Sequence, residues 1–207
     1  MSLIFYTNPM SRGRIIRWML EETGAAYETR FLRYGEEMSS PAYTAVNPMQ
    51  KVPAIVHNGR VVTECGAICL YLADAFPEAG LAPPPMERAD YYRWMMFAAG
   101  PWEQANVNAA LGVSVSAEQS RMAGYGTFER ALDVLLSTVP DSGYLLGDRF
   151  SAADVYVGSH IGWAIQFGSV PSSPRIEAYL GRIQSRPAAR RGVELDDAAI
   201  PEYGPQS

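Results

Sequence analysis

The chain has 207 residues, 48% hydrophobic and 19% charged, a globular composition long enough to bury a core in one domain or two small ones. A formal net charge of −5 argues against nucleic acid or an anionic membrane as a partner, and no apolar run reaches membrane-spanning length. Two cysteines four residues apart on one predicted helix are badly placed to bridge, and the start MSLIFYTNPMSR lacks the pattern of a signal peptide, so a soluble, reduced, cytoplasmic protein is expected.

Ser2 to Tyr6 reads as a buried strand ended by Thr7-Asn8-Pro9. Ile15, Ile16, Met19 and Leu20 then share one face of a helix that stops near Gly24, which puts Ser11 close to its N-terminus. From Tyr27 to Arg33 the pattern returns to strand, giving a parallel β-α-β unit. Ala54 to His57, a tight turn on Asn58-Gly59, and Arg60 to Thr63 form a hairpin. Val52-Pro53 stands just before it, where a cis peptide would turn the chain sharply. Glu64-Cys65-Gly66 opens the next helix, gathering a carboxylate, a thiol and unpaired N–H groups at a positive dipole end suited to a small anionic ligand. The plain alternative is an amphipathic helix with Cys65, Ile68, Cys69 and Leu72 facing a core. The order βαβ then ββα is thioredoxin-like, with Asn8-Pro9-Met10-Ser11 standing where a C-x-x-C pair would sit.

Pro77, Gly80, Pro83, Pro84 and Pro85 read as a linker forming neither helix nor ladder. Beyond it the chain reads as all-helical. Tyr91, Trp94, Met95 and Ala98 make an apolar stripe, Pro101 and Gly112 break or kink the region, and Gly112 to Ser116 is a loop. A second long helix carries Met122, Phe128, Leu132 and Leu135 and stops before Pro140. Ser151 to Asp154 spells a capping box with Phe150 as its hydrophobic staple. The last helix holds Ile176, Leu180 and Ile183, and the small, acidic tail after Pro187 is expected to be mobile. The division expected is an α/β domain over 1–77, a linker over 78–86 and an all-α domain over 87–207.

K-V-P-A, the hairpin and T-E-C-G-A-I-x-x-Y-L resemble the glutathione-binding half of cytosolic glutathione transferases, and G-D-R-F-S-A-A-D-V is similar to the folding motif of that family's C-terminal domain. The resemblance covers nearly the whole chain. It implies that the Val52 backbone pairs with the cysteinyl backbone of glutathione and that Pro53 is cis. It further implies that Glu64 and Cys65 hold the γ-glutamyl group, where most relatives carry Ser or Thr in place of Cys65. Lys51 would reach the glycyl carboxylate, or stay a solvated surface lysine, and Gln50 would add a hydrogen bond. A homodimer is implied by the resemblance alone.

Glutathione chemistry needs a thiolate, and a free thiol pKa of about 8.5 leaves only a few per cent ionised at neutral pH. Tyr6 through Ser11, Y-x-x-x-M-S, looks like the serine-type entry of the phi class, which makes Ser11 the first choice of hydroxyl donor; its plain role is a helix cap. Tyr6 and Asn8 are the rivals. Having no Cys at position 8 counts against thiol-disulfide exchange, which would need a nucleophilic Cys65. Arg12 and Arg14 either add positive potential or face solvent. With only two histidines, His57 and His160, no metal cluster is supported, and glutathione is expected as co-substrate with no separate cofactor. Tyr91, Trp94, Met95, Phe97 and Trp102 are either core or wall of an apolar cleft between the domains. The reading is a detoxifying transferase that adds glutathione to a hydrophobic electrophile. Glutathione-dependent isomerisation or dehalogenation, and a non-catalytic carrier of hydrophobic ligands, are the alternatives.

Overall fold

A computed structural model describes residues 2–204. The chain divides into two compact units, residues 1–81 with 185–207, and residues 82–184.

The first unit is built on a four-stranded sheet in the order β2-β1-β3-β4. β1 (Leu3–Thr7) pairs parallel with β2 (Glu28–Phe31) and antiparallel with β3 (Ala54–His57), which pairs antiparallel with β4 (Arg60–Thr63). α1 (Gly13–Thr23) crosses over between β1 and β2 and buries Ile15, Ile16, Met19 and Leu20; Gly24 ends it in the left-handed conformation, which glycine adopts without strain. The short turns α2 (Glu36–Ser39) and α3 (Pro41–Thr44) precede the hairpin, and α4 (Cys65–Ala75) follows it, with Cys65, Ile68, Cys69 and Leu72 all buried. This is the expected thioredoxin-like βαβ-ββα order. Alternation along β1 sorts its side chains: Phe5 lies under Arg17 of α1 and Thr7 against Gly13, whereas Tyr6 faces the other side with Met38 and Tyr43.

The second unit is all-helical. α5 (Ala89–Phe97), a π-turn at Ala98–Trp102 containing Pro101, and α6 (Glu103–Ala110) follow one another, burying Tyr91, Met95, Ala98, Trp102 and Ala105. The proline lacks an N–H, so a widened turn there is the physical response. α7 (Phe128–Ser137) is shorter than the sequence pattern suggests. Met122 lies before it in a turn, 90% exposed, because Gly124 and Gly126 interrupt the helix between Met122 and Phe128. α8 (Ala152–Gln166) begins with the expected capping box: Asp154 Oδ2 accepts from Ser151 N at 3.0 Å and Ser151 Oγ from Ala153 N at 3.2 Å. Phe150 meets Tyr144 edge-on. α9 (Pro174–Gln184) buries Ile176 and Ile183, and Ile183 fills the space over Gly158 where a Cβ would stand.

Two expectations need correction. The proline-rich stretch does make local structure, as 3-10 turns at Pro77–Ala79 and Pro85–Glu87. The segment after Pro187 is not a loose tail but α10 (Pro187–Asp197) and α11 (Ile200–Tyr203), and it belongs by its contacts to the first unit rather than to the helical one. Its small residues form a contact face. A Cβ on Gly192 would stand 3.4 Å from the Trp18 backbone, so α10 lies close on α1. Its acidic residues are paired, Asp196 with Arg17 at 3.1 Å and Asp197 with Arg14. Residues 205–207 of the expected helical domain lie outside the described residues.

Candidate functional site

Three strand ends define the site. The register ends by pairing Tyr6 with Ala54 and Ala54 with Thr63; past these ends lie Asn8, the Val52-Pro53 bend and Cys65 at the start of α4. Just beyond them, α1 and α4 start side by side, and Cys65 Sγ lies 3.7 Å from the Arg12 carbonyl oxygen. A helix start directs N–H groups and a positive dipole end at whatever occupies the corner.

The turn into α1 is closed by its own side chains. Ser11 Oγ donates to the Asn8 carbonyl at 2.7 Å and accepts from Gly13 N–H at 2.9 Å. Asn8 is fully buried: its Oδ1 accepts from Met10 N–H at 2.9 Å, and its Nδ2 donates to Leu32 O at 2.9 Å and Tyr203 O at 3.0 Å. Both amide protons are thus spent on carbonyls, which leaves Asn8 none for a ligand sulfur. Gly13 is required where it stands, since a Cβ would fall 1.9 Å from Thr7 Oγ1. Tyr6 is on the sheet face away from α1, its hydroxyl accepting from Arg30 at 3.1 Å and its ring 5.4 Å from that of Tyr43. Ser11 is therefore the one of the three candidate donors that stands at the α1 corner with a hydroxyl proton. Arg14 donates to Pro9 O at 2.7 Å and pairs with Asp197, so it braces the turn.

The opposite wall is Gln50 to Pro53. Gln50 has φ +55°, and Val52-Pro53 is cis. Lys51 offers its side chain to solvent while its carbonyl accepts from Tyr43 Oη at 2.6 Å and Asn47 Nδ2 at 2.7 Å. Burial pushes the Tyr43 hydroxyl up to about 12, keeping it a neutral donor. The Val52 peptide groups have no hydrogen-bond partner among the described residues. Glu64 closes the corner at φ +67°, an uncommon conformation for a non-glycine residue, with its side chain exposed. Burial pushes the Cys69 thiol, one turn beyond Cys65, well up. Among the described residues no group of three or more His, Cys, Asp or Glu could hold a metal ion.

Sequence reasoning missed Tyr43, Asn47 and Tyr203. Asn47 had a signal, for Asn-Pro starts turns, and its Oδ1 accepts from Met49 N–H at 3.0 Å. Tyr203 had none, lying 195 residues from the Asn8 it meets.

Residues 1–74 match the family model for the glutathione S-transferase N-terminal domain, and residues 88–182 that for its C-terminal domain. The chain is 30% identical to a maleylacetoacetate isomerase of Pseudomonas aeruginosa, over 97% of this chain and 99% of that one. Among solved structures it is similar to a glutathione transferase of Methylococcus capsulatus, at 30% identity and a TM-score of 0.74 over 95% of this chain and 99% of that one. A sphingomonad glutathione S-transferase complexed with glutathione is 27% identical with a TM-score of 0.73, over 94% and 98% of the two chains. Against some other curated relatives the chain spans less than two thirds of their length.

Proposed function

The chain belongs to the glutathione S-transferase family, and from that premise we propose that it is a glutathione transferase whose Asn8–Val52–Cys65 corner binds glutathione and activates its thiol for attack on a hydrophobic electrophile. The observation that carries the reading is the unpartnered peptide of Val52, two residues before Ala54, whose partners Tyr6 and Thr63 stand on the strands that lead into α1 and α4. An extended tripeptide would pair its backbone with Val52 as an added strand does. The acidic side chain of Glu64 suits the γ-glutamyl ammonium, the α4 start suits its carboxylate, and Lys51 suits the glycyl carboxylate. Cys65, where relatives carry a hydroxyl, makes a weaker donor there.

The sulfur would lie at the α1 start. As the thiol loses its proton to solvent water, Ser11 turns its hydroxyl hydrogen bond from the Asn8 carbonyl to the thiolate, exchanging a neutral hydrogen bond for a charge-assisted one of about twice the strength. Gly13 N–H stays on Ser11 Oγ through that rotation, since it uses a lone pair and not the proton. Thiolate and electrophile held together then react with the advantage of proximity. We assign the active form as a cytoplasmic homodimer engaged in detoxification, with no cofactor beyond the glutathione co-substrate. Among the described residues no helix is long and apolar enough to cross a membrane.

Titrating the thiolate absorbance of bound glutathione in the wild type and in Ser11→Ala tests this. The wild-type pKa should lie well below the free value of about 8.5, and the variant's should be at least one unit higher with affinity little changed. Equal values in both would make Ser11 a cap only. Absence of glutathione binding would remove the transferase reading altogether.

A second reading is glutathione-dependent isomerisation, favoured by the full-length similarity to an isomerase. It predicts turnover of a cis-alkene substrate with no conjugate accumulating and no glutathione consumed.

A further inference from the structure

The turn that presents Ser11 is held from one side by its own bonds and from the other by the far end of the chain. Tyr203, in α11, gives its carbonyl to Asn8 Nδ2, and the carbonyl of the same Asn8 takes the Ser11 hydroxyl proton. Two bonds therefore connect α11 to the Ser11 hydroxyl. α11 is fixed by contacts of its own. The Tyr203 ring stacks on Phe31 of β2 at 5.0 Å and 27°, and the Arg33 guanidinium lies over the Tyr203 ring at 4.8 Å from its centroid, with Glu202 3.7 Å from Arg33. Upstream, α10 is tied to α1 by Arg17 with Asp196, Arg14 with Asp197, and Arg186 with Glu22 at 2.6 Å and 2.7 Å. The segment is a clasp around the α1 start.

We propose that the C-terminal clasp is a positioning element of thiol activation: by fixing Asn8 through the Tyr203 carbonyl it sets the orientation of the Asn8 carbonyl, and hence how readily Ser11 turns its hydroxyl hydrogen bond from that carbonyl to the glutathione sulfur. The inference rests on Ser11 being the thiol donor. Tyr203 touches neither glutathione nor Ser11 and acts only through Asn8. Its ring is the lever, because the carbonyl's position depends on the stack against Phe31 and the contact with Arg33. Its hydroxyl bonds its neighbour Glu202 and is no part of this route, so Tyr203→Phe keeps the ring stack on Phe31, the Arg33 contact and the carbonyl bond to Asn8.

The test is the bound-thiol titration on the full chain, with glutathione affinity measured alongside. In Tyr203→Gly the ring is gone and the backbone loosened; the bound-thiol pKa should rise by about half a unit to one unit, equivalent to a three- to tenfold loss of thiolate at pH well below the pKa. Glutathione affinity should change less than about twofold, since no binding group is touched, and kcat should fall while KM for glutathione holds. Tyr203→Phe should match the wild type. In an Asn8→Ala background the Tyr203→Gly change should add nothing further to the pKa, because the bond that transmits it is already absent. A merely structural loss would lower stability but leave the pKa and the KM in place. An unchanged pKa in Tyr203→Gly, where Ser11→Ala does raise it, overturns the clasp and leaves the serine reading intact. A rise in Tyr203→Gly with none in Ser11→Ala overturns the proposed route, and with it the serine reading. Should Asn8→Ala not fold, Asn8→Ser supplies the same background, being too short to reach the Tyr203 carbonyl.

Discussion

Ser11 has one proton and two claims on it. In the structure the proton goes to the Asn8 carbonyl and the oxygen takes the Gly13 N–H at the first residue of α1, so the residue proposed as thiol donor also fastens the entry to the helix. The two roles, which sequence alone leaves as alternatives, are compatible because capping uses the oxygen's lone pair. Cys65 and Cys69 are likewise separated by their surroundings. Cys69 is fully buried and its thiol is pushed up by that burial, so in the folded state it stays protonated where an unfolded thiol would ionise. Its contribution to stability is present below about pH 8.5 and is lost as pH rises through the elevated folded value. Alkylation of native protein with iodoacetamide between pH 7 and 9 should therefore add at most one adduct, at Cys65, and saturating glutathione should block it. A second adduct before unfolding, read by intact mass, would contradict this. The cis-proline and the helix start at Cys65 were legible because each belongs to a short motif. Asn8 was misread as a possible donor because its partners, Leu32 and Tyr203, are not its neighbours in sequence.

Between elements, the informative junction is α1 with α10. Asp196 is fully buried and Arg17 nearly so, with Arg17 also donating to Tyr27 at 3.0 Å and Thr29 at 2.6 Å and lying over the Phe5 ring. Burial pushes the Asp196 carboxyl up, and the pull of Arg17 only partly opposes it. The sign follows. With a folded pKa above the unfolded value of about 3.9, the group's contribution is fully present below that pH and lost as pH rises through the elevated folded value. Removing the titration by Asp196→Asn should thus cost more at pH 4 than at pH 7, measured as the gap between wild-type and variant urea midpoints. A gap that narrows on acidification would mean that Arg17 wins over burial. The cost of burying the two charges offsets much of their attraction at neutral pH, while their pairing fixes where α10 meets α1. This contact also explains the mistaken expectation of a mobile tail. The hairpin and the capping box obey rules that span a few residues, whereas Ala189, Gly192, Asp196 and Asp197 look like solvated filler until α1 supplies Arg17, Trp18 and Arg14.

On the scale of the whole molecule, the chain leaves its first unit after Leu81 and returns to it at Ser185, so that unit is discontinuous in sequence. α10 is tied down on α1 by close packing and ion pairs, whereas exposed loop backbone in the intervening stretch opens more readily. Residues 111–127 carry the features of a cleavable segment: Leu111, Val113 and Met122 are exposed, Gly112 and Gly126 have positive φ, and Arg121 ends a single 3-10 turn. Arg190 and Arg191 are also exposed, but they sit within α10, whose opposite face is packed on α1. A protease needs several residues of extended backbone, and α10 can supply them only by leaving Arg17 and Arg14 without Asp196 and Asp197. Limited trypsin digestion should therefore cut first after Arg121, giving fragments 1–121 and 122–207. Early release of a short peptide by cleavage at Arg190 or Arg191, with the rest intact, would show that the clasp opens more easily than the loop. Mass analysis of the first products decides between them. Since the same clasp holds Asn8, its opening and the loss of thiol activation should then share one dependence on urea.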